Sequence, residues 1–132
     1  MFLLDTNIFL EILLEQEKAQ EAKDLLTTIP PSRLSITDFS VHSLGVFLFR
    51  RNQHEIYERF VEDAILNTGM AVLRINAEDI PILVDVSRRF RLDFDDAYQY
   101  VAAEKHGLRI VSFDADFDRT ERGRRTPDKV QL

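Results

Sequence analysis

No cysteine occurs among the 132 residues, so a disulfide framework and a thiolate metal site are both excluded, and a reducing compartment suits the chain. Long apolar runs are missing as well. The longest, such as residues 46–49, falls far short of the roughly 20 residues that cross a bilayer, and no membrane span is expected. The opening MFLLDTN carries Asp5 and is followed by Glu11, Glu15 and Glu17, so it has neither the basic start nor the apolar stretch of a signal peptide. The expected location is therefore cytoplasmic. Positive charge is also scarce: a formal net charge of −6 excludes a protein that coats nucleic acid by counterion release alone. Internal repeats, linkers and low-complexity segments are absent from the sequence.

What is present is enough for one core. A content of 45% hydrophobic residues over this length predicts one globular domain spanning residues 1–132. The charges are unevenly spread. Arg119, Arg122, Arg124, Arg125 and Lys129 crowd the C-terminal end, whereas acids dominate the first quarter and recur at 93–96 and 114–118. A basic tail beside an acidic centre suits a cation site that handles a phosphate substrate, although a solvated surface tail explains the arginines equally well.

Short apolar runs alternate with helical stripes. Residues 1–5 read as a buried strand, followed by helical spacing at Ile8, Phe9, Ile12 and Leu13, with Thr6 or Asn7 as the N-cap, and by a second stripe at Ala19, Ala22, Leu25 and Leu26. Pro30 and Pro31 close that region. A strand is predicted at 33–36, a helix from about Thr37, another over 53–67, and a strand at 71–75. Helices over 76–91 and from Asp93 to Gly107 flank the end of the chain's middle third, and 108–113 is the clearest strand. Residues 129–132 are assigned a final edge strand. Alternation of this kind predicts an α/β fold, a three-layer α/β/α sandwich around a central parallel sheet, because parallel strands need crossover helices that cover both faces.

That topology draws distant acids together. Asp5 ends the first strand and Asp114 ends the last clear one, while Asp96 lies in the first turn of the helix that leads into that strand. All three fall at the carboxyl edge of the sheet, where ligands gather in such folds; Asp116 can join from the following loop. Carboxylates about 5 Å apart repel by roughly 3 kcal/mol per pair at an effective dielectric near 20, and a divalent cation relieves this best. All-oxygen ligands point to Mg²⁺ or Mn²⁺ rather than Zn²⁺. Such an ion activates water and stabilises charge on a phosphoryl oxygen, which is the chemistry of phosphodiester hydrolysis. Taken singly, each aspartate has an ordinary role as a turn or cap residue. Their coincidence on one edge is what favours a site.

Three segments, Leu3-Leu4-Asp5-Thr6-Asn7, Leu92-Asp93-Phe94-Asp95-Asp96-Ala97 and Ile110-Val111-Ser112-Phe113-Asp114-Ala115-Asp116-Phe117, occur in the order found in the PIN-domain family. The whole chain resembles that family, and in particular the small VapC-like ribonucleases of toxin–antitoxin systems. The resemblance implies Asp5, Asp96 and Asp114 as catalytic metal ligands, Asp116 as an additional or water-mediated one, and Thr6, Asn7 and Ser112 as residues that hold the carboxylates by hydrogen bonds. It implies a metal-dependent endoribonuclease, an RNA substrate, a homodimer and a cognate antitoxin. Arg119, Arg122, Arg124 and Arg125 are candidate contacts to the RNA backbone.

One part of the pattern is missing. The family usually carries a Glu early in the helix after the second strand, and the spacing of apolar residues puts Ser43 in that place. Asp38 at the start of the same helix is a candidate substitute, and His42 is a candidate metal or phosphate ligand, although a lone His on a mixed helix is more often a surface or half-buried residue. A catalytically weakened module that binds RNA or protein is therefore the alternative reading. Phe39, Phe47, Phe49, Tyr57 and Phe60 offer aromatic surface for a partner, with core packing as the simpler explanation. A haloacid-dehalogenase phosphatase needs a second Asp where Asn7 stands, and a receiver domain needs an acidic pair after the first strand and a later Lys; neither pattern is met.

Overall fold

Alternation along the first strand decides which helices cover which face. In the computed structural model, which describes residues 1–131, β1 (Phe2–Leu4) is buried throughout. Phe2 and Leu4 join one apolar cluster with Ile8, Phe9, Leu25 and Leu44, whereas Leu3 between them joins Leu83, Val86, Val101 and Ile110 in another. Successive strand residues point to opposite faces, so a strand with no polar alternation requires cover on both sides. The first face is covered by α1 (Thr6–Leu13), α2 (Ala19–Thr28), α3 (Asp38–Arg50) and α4 (His54–Phe60). The second is covered by α5 (Ile80–Phe90) and α6 (Phe94–His106). This is the three-layer α/β/α arrangement that the alternation predicts.

With β2 (Leu34–Thr37), β3 (Ala71–Leu73) and β4 (Arg109–Val111), the sheet runs in the order β3-β2-β1-β4 with every neighbouring pair parallel. Strand order therefore reverses between β1 and β4. Leu4 stands opposite Val111, and the Asp5 N–H donates to the Val111 carbonyl at 3.0 Å. The end of β1 is thus fixed against the end of β4, at the crevice where parallel sheets bind ligands.

Several local expectations change. Asp5 itself, rather than Thr6 or Asn7, is the N-cap of α1, because β1 ends at Leu4 and the helix starts one residue after the cap. The helix expected over 53–67 is α only as far as Phe60 and continues as a wider π-helical stretch, Val61–Leu66, before Gly69 at φ 72° turns the chain. No strand forms at 129–131. Pro127–Lys129 is a short 3₁₀ turn, and the edge of β4 is instead covered by Arg125, whose N–H donates to the Ile110 carbonyl at 2.8 Å while its carbonyl accepts from Ser112 N–H at 3.0 Å. Proline at the start of that turn has no N–H for a ladder. Leu132, the last residue of the expected strand, lies outside the described residues. No helix among those residues is long and apolar enough to cross a membrane.

Candidate metal centre

Each acid reaches the carboxyl edge by a different local device. Asp5 is buried, its Oδ1 accepting the Thr6 N–H at 2.7 Å and its Oδ2 accepting the Ser112 hydroxyl at 2.6 Å. Asp96 arrives on the first turn of α6, which Asp93 caps by accepting the Asp96 N–H at 3.0 Å. Asp114 follows the two residues that leave β4: its N–H donates to Ser112 Oγ at 2.9 Å, and its own Oδ1 accepts the Asp116 N–H at 2.8 Å, which starts the 3₁₀ turn Ala115–Arg119. Oxygens of Asp96, Asp114 and Asp116 lie within 4.8 Å of one another. Asp5 is outside this trio but close enough that its charge acts on Asp96 and that of Asp114 acts on it.

Proximity carries an electrostatic cost. Burial, followed by the charges of Asp114, Asp5 and Asp93, pushes the Asp96 carboxyl up to about 8. Burial also pushes Asp5 up to about 6, against the Ser112 and Thr6 hydrogen bonds that favour its ionised form. In the metal-free protein the cluster therefore holds protons at a pH where isolated aspartates have lost them. Perturbation of this kind, from burial and like charge together, marks functional sites more often than structural ones.

Behind the acids lies a buried polar layer. Ser40 of α3 meets the Thr6 hydroxyl at 2.7 Å, and Gln99 Nε2 of α6 donates to the Ser40 hydroxyl at 2.5 Å. Asn7 Nδ2 donates to Ser112 Oγ at 3.2 Å. Ser112 thus braces Asp5 directly, whereas the Asn7 side chain acts on Ser112 and the Thr6 hydroxyl on Ser40; Thr6 meets the Asp5 carboxylate through its backbone N–H. Ser40 and Gln99 escaped the sequence reading because a buried Ser or Gln leaves no periodic signal. Asp95, read only as a helix-start acid, adds its charge to Asp5.

Of the other candidate residues, Arg119 alone bonds a member of the trio. Asp38 accepts the Tyr98 hydroxyl at 2.7 Å and the Phe39 N–H at 2.7 Å, and it does not belong to the group within 4.8 Å. Ser43 lines an outward groove on α3 with His42, Val46 and Phe47. Arg119 bonds Asp116 at 2.9 Å, but its other nitrogens donate to the Phe90 and Arg91 carbonyls at the end of α5. Arg122 donates to the Leu108 carbonyl, and Arg124 bonds Asp118 and the Ser112 carbonyl. Arg125 lines a depression with Phe2, Arg109 and Lys129. Of the aromatic set, Phe60 is core and Tyr57 donates to the Val41 carbonyl at 2.8 Å, while Phe49 is exposed against His54.

Comparison with protein families matches the PIN domain over residues 2–123, which includes both ends of the acidic cluster. The chain belongs to the PIN domain family. Comparison with curated proteins gives no match. Among solved structures, this PIN domain is similar to a toxin–antitoxin complex from Klebsiella pneumoniae, at 22% identity and TM-score 0.75 over 96% of this chain and 98% of that one. It is similar to FitAcB from Neisseria gonorrhoeae, at 16% identity and TM-score 0.77 over 98% and 100%. It is also similar to the sarcin-ricin-loop-cleaving toxin VapC20 of Mycobacterium tuberculosis, at 20% identity and TM-score 0.74 over 89% and 93%. At these identities the likeness is one of fold, and it extends over nearly the whole length of each chain.

Proposed function

We propose that this PIN domain is a divalent-cation-dependent endoribonuclease, the toxin of a toxin–antitoxin pair acting in the cytoplasm as a homodimer. The observation that carries the reading is the gathering of Asp96, Asp114 and Asp116 within 4.8 Å, with the charge of Asp5 acting on Asp96. The PIN domain is a nuclease family, and a donor set made only of carboxylate oxygen fits a hard ion such as Mg²⁺ or Mn²⁺. Asp5, Asp96 and Asp114 would hold it, with Asp116 as a further ligand. When bound, the ion supplies a water of lowered pKa and a counter-charge for the phosphoryl oxygen. The chain's own part is orientation: Ser112 fixes Asp5 and positions the Asp114 N–H, and Arg119 holds the loop that carries Asp116.

A weakened, binding-only module is the second reading. It is favoured by the absence of any Glu from the acidic group and by the placement of Ser43 on the outer groove of α3. That groove, about 610 Å³ and lined by Phe39, Val46 and Phe47 among others, is our candidate seat for an antitoxin segment. Single-stranded RNA incubated with purified protein and Mg²⁺ or Mn²⁺ separates the two. Cleavage that disappears in both Asp5→Asn and Asp114→Asn supports the enzyme. RNA binding without cleavage supports the module, and cleavage that survives both substitutions refutes the proposed site.

A further inference from the structure

Beside the acids stands an aromatic shelf that phosphodiester hydrolysis leaves unused. Phe94, the first residue of α6, is 50% exposed, and its ring lies 5.6 Å from that of Phe39 and 6.0 Å from that of Tyr98; Phe39 and Tyr98 are 5.3 Å apart. Two of the rings have structural duties. Phe39 packs against the core of the second face, and Tyr98 is buried, with its hydroxyl donating to Asp38. Phe94 has neither burial nor a polar tip, yet it is propped in one orientation by two rings. A single exposed apolar residue needs no explanation, but a ring braced by two others at the acidic start of α6 has a held position and a free surface.

Its place relative to the acids follows from helix geometry. Positions 94 and 98 share one side of α6, whereas 96 projects from nearly the opposite side at 100° per residue. Phe94 and Tyr98 accordingly meet Phe39 after β2, and Asp96 meets Asp114 after β4. Strands are about 4.8 Å apart and β1 lies between β2 and β4, so the strand ends that lead to the shelf and to the acids are about 10 Å apart along the same sheet edge. Arg74, just after β3, is close enough for its charge to act on the Tyr98 hydroxyl.

We infer that Phe94 is a stacking platform for an unpaired nucleobase of the RNA, next to the nucleotide whose phosphate meets the acidic cluster. The inference rests on the ribonuclease reading and adds to it a base-binding contact at the start of α6. Every base has a π-face, so an aromatic platform binds single strands with little sequence demand, and the backbone is left to nearby cations. Asp95 and Asp96 repel phosphate at the helix start, so a neutral, base-directed contact is the kind that can hold a strand there.

The full-length protein is titrated with fluorescein-labelled oligo-A and oligo-U in EDTA, and cleavage of the same oligonucleotides is followed in Mn²⁺. Phe94→Leu keeps apolar bulk without a π-face and should weaken oligo-A binding about tenfold, with a smaller effect on oligo-U. Phe94→Trp should restore binding, and because the chain has no other tryptophan its indole emission should be quenched as oligo-A stacks on it. In cleavage, Phe94→Leu should raise KM and leave kcat close to that of the wild type. Equal affinity of Phe94→Leu and wild type for both oligonucleotides overturns the stacking role while leaving the ribonuclease reading intact. Wild-type protein that neither binds nor cuts either oligonucleotide overturns both. Loss of dimer in light scattering on Phe94→Leu also overturns the stacking role, by making the shelf a contact between copies of the chain.

Discussion

Raising the pH should destabilise the metal-free protein, and a divalent cation should reverse the effect. The Asp5 carboxyl rises from 3.8 to about 6 on folding, so the native state binds more protons than the unfolded chain between those values. Stability from such a group is fully present below the unfolded value and is lost as pH rises through the folded one. A two-unit elevation corresponds to about 3 kcal/mol over the whole titration, about half of it falling between pH 5 and 8. Asp96, pushed up to about 8, adds in the same direction and over a higher window. The two share their repulsion through Asp114, so their contributions are not independent, and a fall of at least about 1.5 kcal/mol from pH 5 to pH 8 is the conservative expectation. Urea denaturation at several pH values in EDTA measures it directly. Added Mn²⁺ should restore stability most strongly at the upper end of the range, and Asp96→Asn should flatten the EDTA profile while abolishing the response to metal. A metal-free protein whose stability is flat or rises from pH 5 to 8, or an Asp96→Asn variant with an unchanged slope, would refute the electrostatic account of the cluster.

Three further outcomes are open to measurement. Ser112→Ala removes a hydrogen bond that lowers the Asp5 pKa, so the acidic limb of Mn²⁺ binding should move to higher pH in calorimetric titrations; an unmoved limb would mean that Ser112 does not control Asp5. Gly45→Ala places a methyl 2.9 Å from Tyr57 Cζ, so a change worth about 1 kcal/mol of stabilisation in an open helix should instead cost roughly 1–3 kcal/mol in thermal or urea unfolding. Arg119→Ala deletes two donors to carbonyls at the end of α5 and frees Asp116; about 1–2 kcal/mol of stability should be lost, and Arg119→Lys should restore little of it, because an ammonium lacks the forked geometry.

The sheet and the convergence of acids were legible because they depend on patterns that survive in one dimension. A buried three-residue strand followed at once by Asp, and a helix capped by Asp93, each announce themselves through neighbouring residues. What stayed hidden was decided by partners far along the chain. The sequence reading could not find the Ser40–Gln99 contact, 59 residues apart, since neither residue type signals burial. Asp38 looked available as a ligand until Tyr98 claimed it, and the tail arginines looked free until backbone carbonyls at the ends of α5 and β4 accepted from them. The strand expected at 129–132 does not form over the described residues 129–131. Arg125 had already filled the edge beside β4.

The Asp5–Ser112 hydrogen bond spans 107 positions and joins the first strand to the loop after the last. A growing polypeptide whose fourth strand has not yet docked therefore owns every helix of the first layer but no assembled cluster of acids. The acidic cluster is accordingly assembled late and in one step, when the loop after β4 docks against the end of β1.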